Sequence, residues 1–382
     1  MKHKVMEKMN MQDNEYSGMK VLIMGLGLNN GGLHSALYLA RQGAEIVVTD
    51  LRDEKTLAPS IEKLEAELRS IENVQGISRK IRYVLGRHET EDFNAADMVI
   101  KNPGVRPDSP YLMEAKRIET DISLFLAASP ARLTAVTGSK GKSSIASSLH
   151  WVQKQWASSQ QAQNPAFAKR AFLGGNITLS PLSFLGELHE GDDVVLELSS
   201  FQLGDLRDLS KKTGKALIKP RAAVVSAIMP DHLDRYGTMD AYIADKRAIY
   251  QCQDKDDVLV ADDDSWGQSF RSESRARPLI YSDGLLPDGI AGGWIDEASG
   301  CGIARANSNG GIVEAVPASL LVPGRHQKKN LLAAALALLD LGLDAGFIKE
   351  SLASFPGIPH RLEFFHESRG IRFYNDSAAT IP

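Results

Sequence analysis

The stretch AVTGSKGKSSIASSLHW, residues 135–151, joins an apolar run to a glycine turn and then to a helical pattern. A glycine turn after a strand lets backbone N–H groups face an anion, and the N-terminus of the following helix adds its partial positive charge. Lys142 supplies a full charge for β- and γ-phosphate oxygens. Ser143 or Ser144 offers a hydroxyl to Mg²⁺. The usual Walker A pattern also wants a glycine at position 136, where this chain has Val136. The simpler reading is a strand-to-helix turn without a ligand, and a bare Gly-Lys-Ser does not separate the two. The whole of TGSKGKSS, set between an apolar strand and a helix, favours phosphate binding.

On both sides of this turn, apolar runs alternate with helical patterns. KVLIMG (20–25) precedes the helical LHSALYLARQG and the strand-like EIVVTD (45–50). DMVIKNPG (97–104) leads into PDSPYLMEAKR, whose proline and aspartate favour helix initiation. Further strands are expected in AFLGGN (171–176), DVVLELSS (193–200), AAVVSAIMPDH (222–232) and DVLVADDD (257–264). Such alternation predicts an α/β chain built on parallel, doubly wound sheets. Residues 265–320 are rich in Gly, Ser and Asp and read as antiparallel excursions or loops. LEFFHE and IRFYND read as a hairpin across SRG, which by itself would be marginal in water.

The chain's 382 residues exceed one ordinary core, so two or three domains are expected. With 43% hydrophobic and 24% charged residues the composition is that of a soluble globular protein. A net charge of −4 gives no reason to expect a nucleic-acid or anionic-membrane partner. Only Cys252 and Cys301 occur, which suits a reducing compartment and argues against a disulfide framework or a cysteine zinc site. The N-terminal MKHKVMEKMNMQDNEYSG lacks an apolar signal core. LLAAALALLDLGL (331–343) is interrupted by Asp340 and too short to span a bilayer, so a buried core helix is the better reading. A cytoplasmic protein is expected.

Several polar residues stand where ligands collect in open α/β sheets. Glu197 closes an apolar run, where a buried carboxylate is costly without a cation or donor. Alone, it would more often be a satisfied structural acid. Asp231, His232, Asp234 and Arg235 crowd the end of AIMPDHLDRYG, although Asp231 could serve a local cap. Lys246, in the helical MDAYIADKRAIYQ, would by itself pass for a solvated lysine. Near the N-terminus, MGLGLNNGG is a weak dinucleotide fingerprint, with Asp50 about where a ribose-binding acid would stand. A nicotinamide cofactor stays open on pattern alone.

Taken in order, TGSKGKSS, LGGN, LELSSFQL, DHLDRYG with DKRAIY, GRHQKKNLLAAALAL and GIPHRLE…NDSAAT resemble the Mur ligases, over Lys20 to about Thr380. LELSSFQL with DHLDRY is most similar to the D-glutamate-adding branch. This family's phosphate loop is of a TGTNGK[ST] type, so Val136 is no defect. The resemblance implies a UDP-substrate-binding Rossmann-like domain over 1–128, a central P-loop ATP-binding domain over 129–355 and the start of a third α/β domain over 356–382. It implies ATP-dependent addition of D-glutamate to UDP-N-acetylmuramoyl-L-alanine through an acyl phosphate, in cytoplasmic peptidoglycan synthesis, by a monomer. Phosphoryl transfer needs positioning and charge neutralisation rather than a protein nucleophile.

By the same resemblance, Gly138, Ser139, Lys140, Gly141, Lys142, Ser143 and Ser144 hold ATP, with His326 and Asn330 near adenine and ribose and Arg361 and Asp376 as further nucleotide contacts. Ser143 or Ser144 with Glu197 would hold one Mg²⁺ and His232 would help hold a second. Lys246 matches the lysine that becomes carbamylated, which turns an ammonium into an oxygen ligand suited to hard cations. Asn176 and Ser199 fall at substrate contacts. Gly27, Leu28, Asn29, Asp50, Arg52, Asn102, Pro103 and Gly104 would bind the UDP part, against the nicotinamide reading.

Four positions depart from the family pattern. Gln327 replaces the first asparagine of HNxxN, Ala378 the lysine of NDSKAT, Thr178 a glycine and Ser123 an acid. Most of the family's C-terminal domain has no counterpart here, so nucleotide binding with little ligation is an expectation for a chain of this length. Another Mur-like ligase is the nearest alternative, and folylpolyglutamate synthase lacks the UDP-binding front domain.

Overall fold

A computed structural model describes residues 15–28, 31–75, 81–177, 179–216, 218–305 and 311–377. The chain divides into two compact units, 1–129 with 178–188 and 205–217, and 130–177 with 189–204 and 218–382.

Among the described residues of the first unit there are five strands, β1 (Lys20–Met24), β2 (Glu45–Asp50), β3 (Ile81–Leu85), β4 (Met98–Lys101) and β5 (Ile118–Glu119). They lie in the order β3-β2-β1-β4-β5, all parallel. The chain leaves β1 toward β2 on one side and later returns to its other side as β4. Ligands of open α/β sheets bind at such a reversal, beyond the carboxyl ends of the strands. The glycine loop after β1 and Asn102–Gly104 after β4 both stand there. Leu22, Met24, Phe93, Val99 and Leu112 pack one side of this sheet.

Among the described residues, the large sheet of the second unit has nine strands: β6 (Arg132–Thr137), β7 (Ala171–Gly175), β8 (Asp193–Glu197), β9 (Ala222–Val225), β10 (Val258–Asp262), β11 (Arg277–Ser282), β12 (Gly292–Ile295), β13 (Gly302–Arg305) and β14 (Ile312–Val316). Their order is β14-β13-β12-β11-β10-β9-β6-β8-β7. The run from β7 to β12 is parallel, and β13 pairs antiparallel with both β12 and β14. Strand β6 lies between β8 and β9, so three strand ends surround the turn at 138–141.

The helix Arg325–Asp340 is buried along its apolar length, from Leu331 to Leu338. A helix apolar all round belongs in a core, as its sequence predicts. Residues 265–320 depart from expectation in two ways. Ser265–Glu273 is a helix, and β11 and β12 join the parallel run. Gly and Ser obscured that helix, but Asp264 caps it by accepting from the Gly267 N–H at 2.7 Å, and a side chain at Gly267 would collide with the Asp262 carbonyl. The helix expected after Asp108 is a single short turn, Pro110–Met113.

A separate antiparallel pair, β15 (Glu363–Ser368) and β16 (Ile371–Asn375), forms the hairpin read from the sequence. Arg369 and Gly370 both take positive φ, 52° and 76°, which suits a two-residue hairpin turn. Phe364, Phe365, Ile371 and Phe373 are exposed on it.

Candidate active site

Strand β6 delivers the turn Gly138-Ser139-Lys140-Gly141 to the helix Lys142–Gln163. Gly138 and Gly141 have φ of 138° and 88°, and a side chain at either would strike Ser226 or the Asn330 amide respectively. Both positions therefore need glycine. The first bond of the helix runs from the Ile145 N–H to the Gly141 carbonyl at 3.0 Å, so the N–H groups just before it have no acceptor within the helix. Those groups and the helix dipole make the turn an anion cradle.

Two lysines point into this cradle. The Lys142 ammonium donates to the carbonyls of Gly138 at 3.0 Å and Ser139 at 3.1 Å. Lys246 donates to the same Gly138 carbonyl at 2.7 Å and is 1% exposed. Its reading as a solvated lysine is corrected by the fold, which buries it beneath the turn. Burial and then the neighbouring Lys142 hold the Lys246 ammonium well below the usual lysine range. Lys142 is also lowered, first by burial, with Glu197 and Asp231 opposing and Arg361 and Lys140 adding to the effect.

Glu197 ends β8, next to β6, and is 2% exposed. Its Oε1 accepts from the Asn176 side chain at 2.8 Å, while the Asn176 N–H donates to the Glu197 carbonyl at 2.8 Å. Oε2 is buried without a partner. A half-satisfied buried carboxylate facing two lysines fits a cation or a donor delivered by a ligand.

His232 is not at the end of β9, which stops at Val225; it follows a loop and precedes the short helix Leu233–Tyr236. It adopts a left-handed φ of 52°, uncommon outside glycine although histidine is among the residues that take it most readily. Phe201 holds this segment, with its ring centroid 4.8 Å from His232 and the Arg235 guanidinium 3.8 Å above it. Asp231 approaches the His232 ring at 3.9 Å. Ser199 caps the following helix, its hydroxyl accepting from the Gln202 N–H at 3.2 Å and donating to Gln202 Oε1 at 3.1 Å. Among the described residues no three His, Cys, Asp or Glu side chains gather as a metal site. Glu197 could hold a divalent cation together with a serine hydroxyl and phosphate oxygens, the donor set a hard cation takes.

Asn330 reaches the turn from the helix Arg325–Asp340, and His326 lies one turn before it on that helix. Gln327, between them, is buried. Arg361 is exposed, and Asp376 accepts from the Leu362 N–H at 3.1 Å.

Sequence reasoning passed over Tyr242 and Asp245. Tyr242 joins Ser139 to the helix of Lys246, and Asp245 accepts from the Tyr236 hydroxyl at 2.8 Å. Their signal is weak, since both are ordinary polar positions in a helical pattern.

In the other unit, the Asp50 carboxylate organises the glycine loop. Oδ2 accepts from the Gly27 N–H at 3.1 Å and Oδ1 from the Arg52 N–H at 2.9 Å. Each oxygen accepts one N–H and keeps a lone pair for a ligand hydroxyl. The Gly104 N–H donates to Asn102 Oδ1 at 3.1 Å. Gly25, Gly31, Asn102 and Pro103 line a narrow cleft, with Leu28 exposed on the glycine loop and Arg52 exposed just after β2. Asn29, Thr178 and Ala378 lie outside the described residues.

Known proteins are similar to this chain in sequence and in fold. The profile of the Mur ligase middle domain matches residues 136–338, and that of the MurD-like Mur ligase N-terminal domain matches residues 19–123. The chain belongs to the Mur ligase family. Among its relatives is the UDP-N-acetylmuramoylalanine–D-glutamate ligase of Treponema pallidum, 36% identical over 96% of this chain and 76% of that protein. The ligase of the same name from Borreliella afzelii is 36% identical over 97% of this chain and 74% of that protein. A crystal structure of UDP-N-acetylmuramate:L-alanyl-gamma-D-glutamyl-meso-diaminopimelate ligase from Neisseria meningitides has a TM-score of 0.56 at 16% identity, covering 90% of this chain and 99% of that one. UDP-N-acetylmuramate-alanine ligase from Thermotoga maritima gives 0.51 at 21% identity, over 94% and 74% of the two chains. These two likenesses concern the fold alone. This Mur ligase is thus an α/β enzyme of the ligase class, and among its described residues no helix is long and apolar enough to cross a membrane.

Proposed function

We propose that the chain catalyses ATP-dependent addition of D-glutamate to UDP-N-acetylmuramoyl-L-alanine, in the cytoplasm, as a step of peptidoglycan synthesis. The observation that carries this reading is the buried, half-satisfied Glu197 beside the lysine-bearing phosphate turn, in a chain 36% identical to ligases of that name. The turn 138–144 takes the ATP phosphates, and Lys142 leaves its own loop carbonyls to neutralise them. Asn330 and His326 are placed to contact the nucleoside. A substrate carboxylate oxygen then attacks the γ-phosphorus and ADP leaves; the amine of D-glutamate attacks the acyl carbon and phosphate leaves. Mg²⁺, held by Ser143 or Ser144 and by Glu197 with help from His232, would offset phosphate charge. Asn176 orients Glu197 and is available to a substrate oxygen, as is Ser199. The UDP group is assigned to Gly27, Leu28, Asn29, Asp50, Arg52 and Asn102–Gly104.

Phosphate release measured with ATP, UDP-N-acetylmuramoyl-L-alanine and each of several amino acids tests this. Release is expected only with all three substrates and with D-glutamate preferred. Release driven best by another amino acid would reassign the reaction within the family, and ATP binding without any product would reduce the proposal to nucleotide binding.

A further inference from the structure

Ser139 is the most restrained residue of the phosphate turn. Its N–H donates to the Ala227 carbonyl at 2.9 Å. Its hydroxyl lies 2.8 Å from the Met229 carbonyl, 3.0 Å from the Met229 N–H and 2.8 Å from the Tyr242 hydroxyl. A serine oxygen has one proton and two lone pairs. Here it accepts from the Met229 N–H and donates to the Met229 carbonyl, so the Tyr242 hydroxyl must donate to its second lone pair. Every hydrogen-bonding capacity of the Ser139 hydroxyl is then used, and the proton on Tyr242 is essential to the set.

Tyr242 is itself built in. It is 1% exposed, packs edge-on to Tyr236 with centroids 5.3 Å apart, and lies under the Lys246 ammonium at 4.5 Å. It sits one turn before Lys246 on the helix Met239–Arg247, which Thr238 caps through the Ala241 N–H at 3.2 Å. Burial raises its phenol to about 12, so the donating proton is retained across the neutral range. One helix thus reaches the turn twice, at Gly138 through Lys246 and at Ser139 through Tyr242.

We propose that Tyr242 is a positioning residue for nucleotide: by donating to Ser139 it holds the phosphate turn in its binding shape before ATP arrives. This rests on the assignment of residues 138–144 to ATP. Preorganisation lowers the cost of ordering the turn on binding, so its loss is read in affinity for ATP rather than in the other substrate. The ring does the packing and the hydroxyl does the positioning, and Tyr242→Phe separates them.

The test measures ATP affinity by titration, KM for ATP and for the UDP-linked substrate, and thermal unfolding, in the full chain carrying Tyr242→Phe, Ser139→Ala, both together, or Ser139→Thr. Loss of one neutral hydrogen bond in Tyr242→Phe is expected to weaken ATP binding about 3- to 10-fold, and Ser139→Ala, which removes the two Met229 bonds as well, at least as much. The double variant should be no weaker than Ser139→Ala, because that substitution already removes the contact with Tyr242. Ser139→Thr, which keeps the hydroxyl, should restore affinity, and the KM for the UDP-linked substrate should not move. Unchanged ATP affinity in Tyr242→Phe, or multiplying losses in the double variant, would overturn the inference while leaving the nucleotide site intact. If Tyr242→Phe unfolds, Ser139→Ala against Ser139→Thr still decides whether the hydroxyl matters. No ATP binding by the unsubstituted chain would overturn the nucleotide assignment itself.

Discussion

Glu197 is held in a position that a structural acid would not need. Asn176 satisfies one of its oxygens, and the other is buried with no donor. An unpaired buried carboxylate oxygen costs stability, so the fold tolerates Glu197 rather than relying on it. Glu197→Gln should therefore cut ATP-dependent phosphate release by roughly 100-fold or more, the scale expected when a cation-holding group is lost. Its melting temperature should hold or rise. Phosphate release and thermal unfolding on one preparation check both, and near-normal turnover would remove Glu197 from the metal site. The lysines teach the reverse lesson. Lys246 looks solvated in its helical pattern, where only the family resemblance singles it out, and the fold buries it against the Gly138 carbonyl.

At the level of elements, the helix Asp121–Ala128 begins with a conflict. Thr120 and Ser123 form a capping box around its first turn. Asp121, its first residue, would favour the helix dipole as an anion, yet it is buried. Burial dominates and raises its carboxyl above the ordinary range, against the Ile122 N–H that donates to it at 2.9 Å. The folded state then holds this proton more tightly than the unfolded chain does. Its stabilising share is full below the ordinary carboxyl range and is lost as pH rises through the raised folded value. Asp121→Asn, which mimics the protonated acid, should flatten the fall in melting temperature from about pH 4 upward. At neutral pH it should be at least as stable as the parent. A clear loss of stability at neutral pH would show instead that the ionised carboxylate supports the helix start.

At the level of the whole molecule, the two units make separate demands on ligands. With its residues 19–123 matched by the MurD-like N-terminal domain, the first unit should respond to a UDP-linked muramoyl substrate and not to NAD. At a hundred times its dissociation constant a ligand stabilises its folded site by about 2.7 kcal/mol. A shift of several degrees with the UDP compound is expected by scanning calorimetry; a shift with NAD alone would reverse the assignment. Both strand–glycine–helix openings, the alternation behind the parallel sheets and the core helix Arg325–Asp340 were legible in the sequence. Each is written in neighbouring residues, as an apolar run, a glycine at a fixed offset or a helical period. Tertiary structure decided the rest. It set β6 between β8 and β9, brought Lys246 to a carbonyl 108 positions away, joined Tyr242 to Ser139 across 103, and set Asn330 against Gly141. A hydrophobic period shows which face of a helix is buried, but not which strand end lies beneath it. Single polar residues at buried ends leave no period, so their partners exist only once the sheet has ordered its strands.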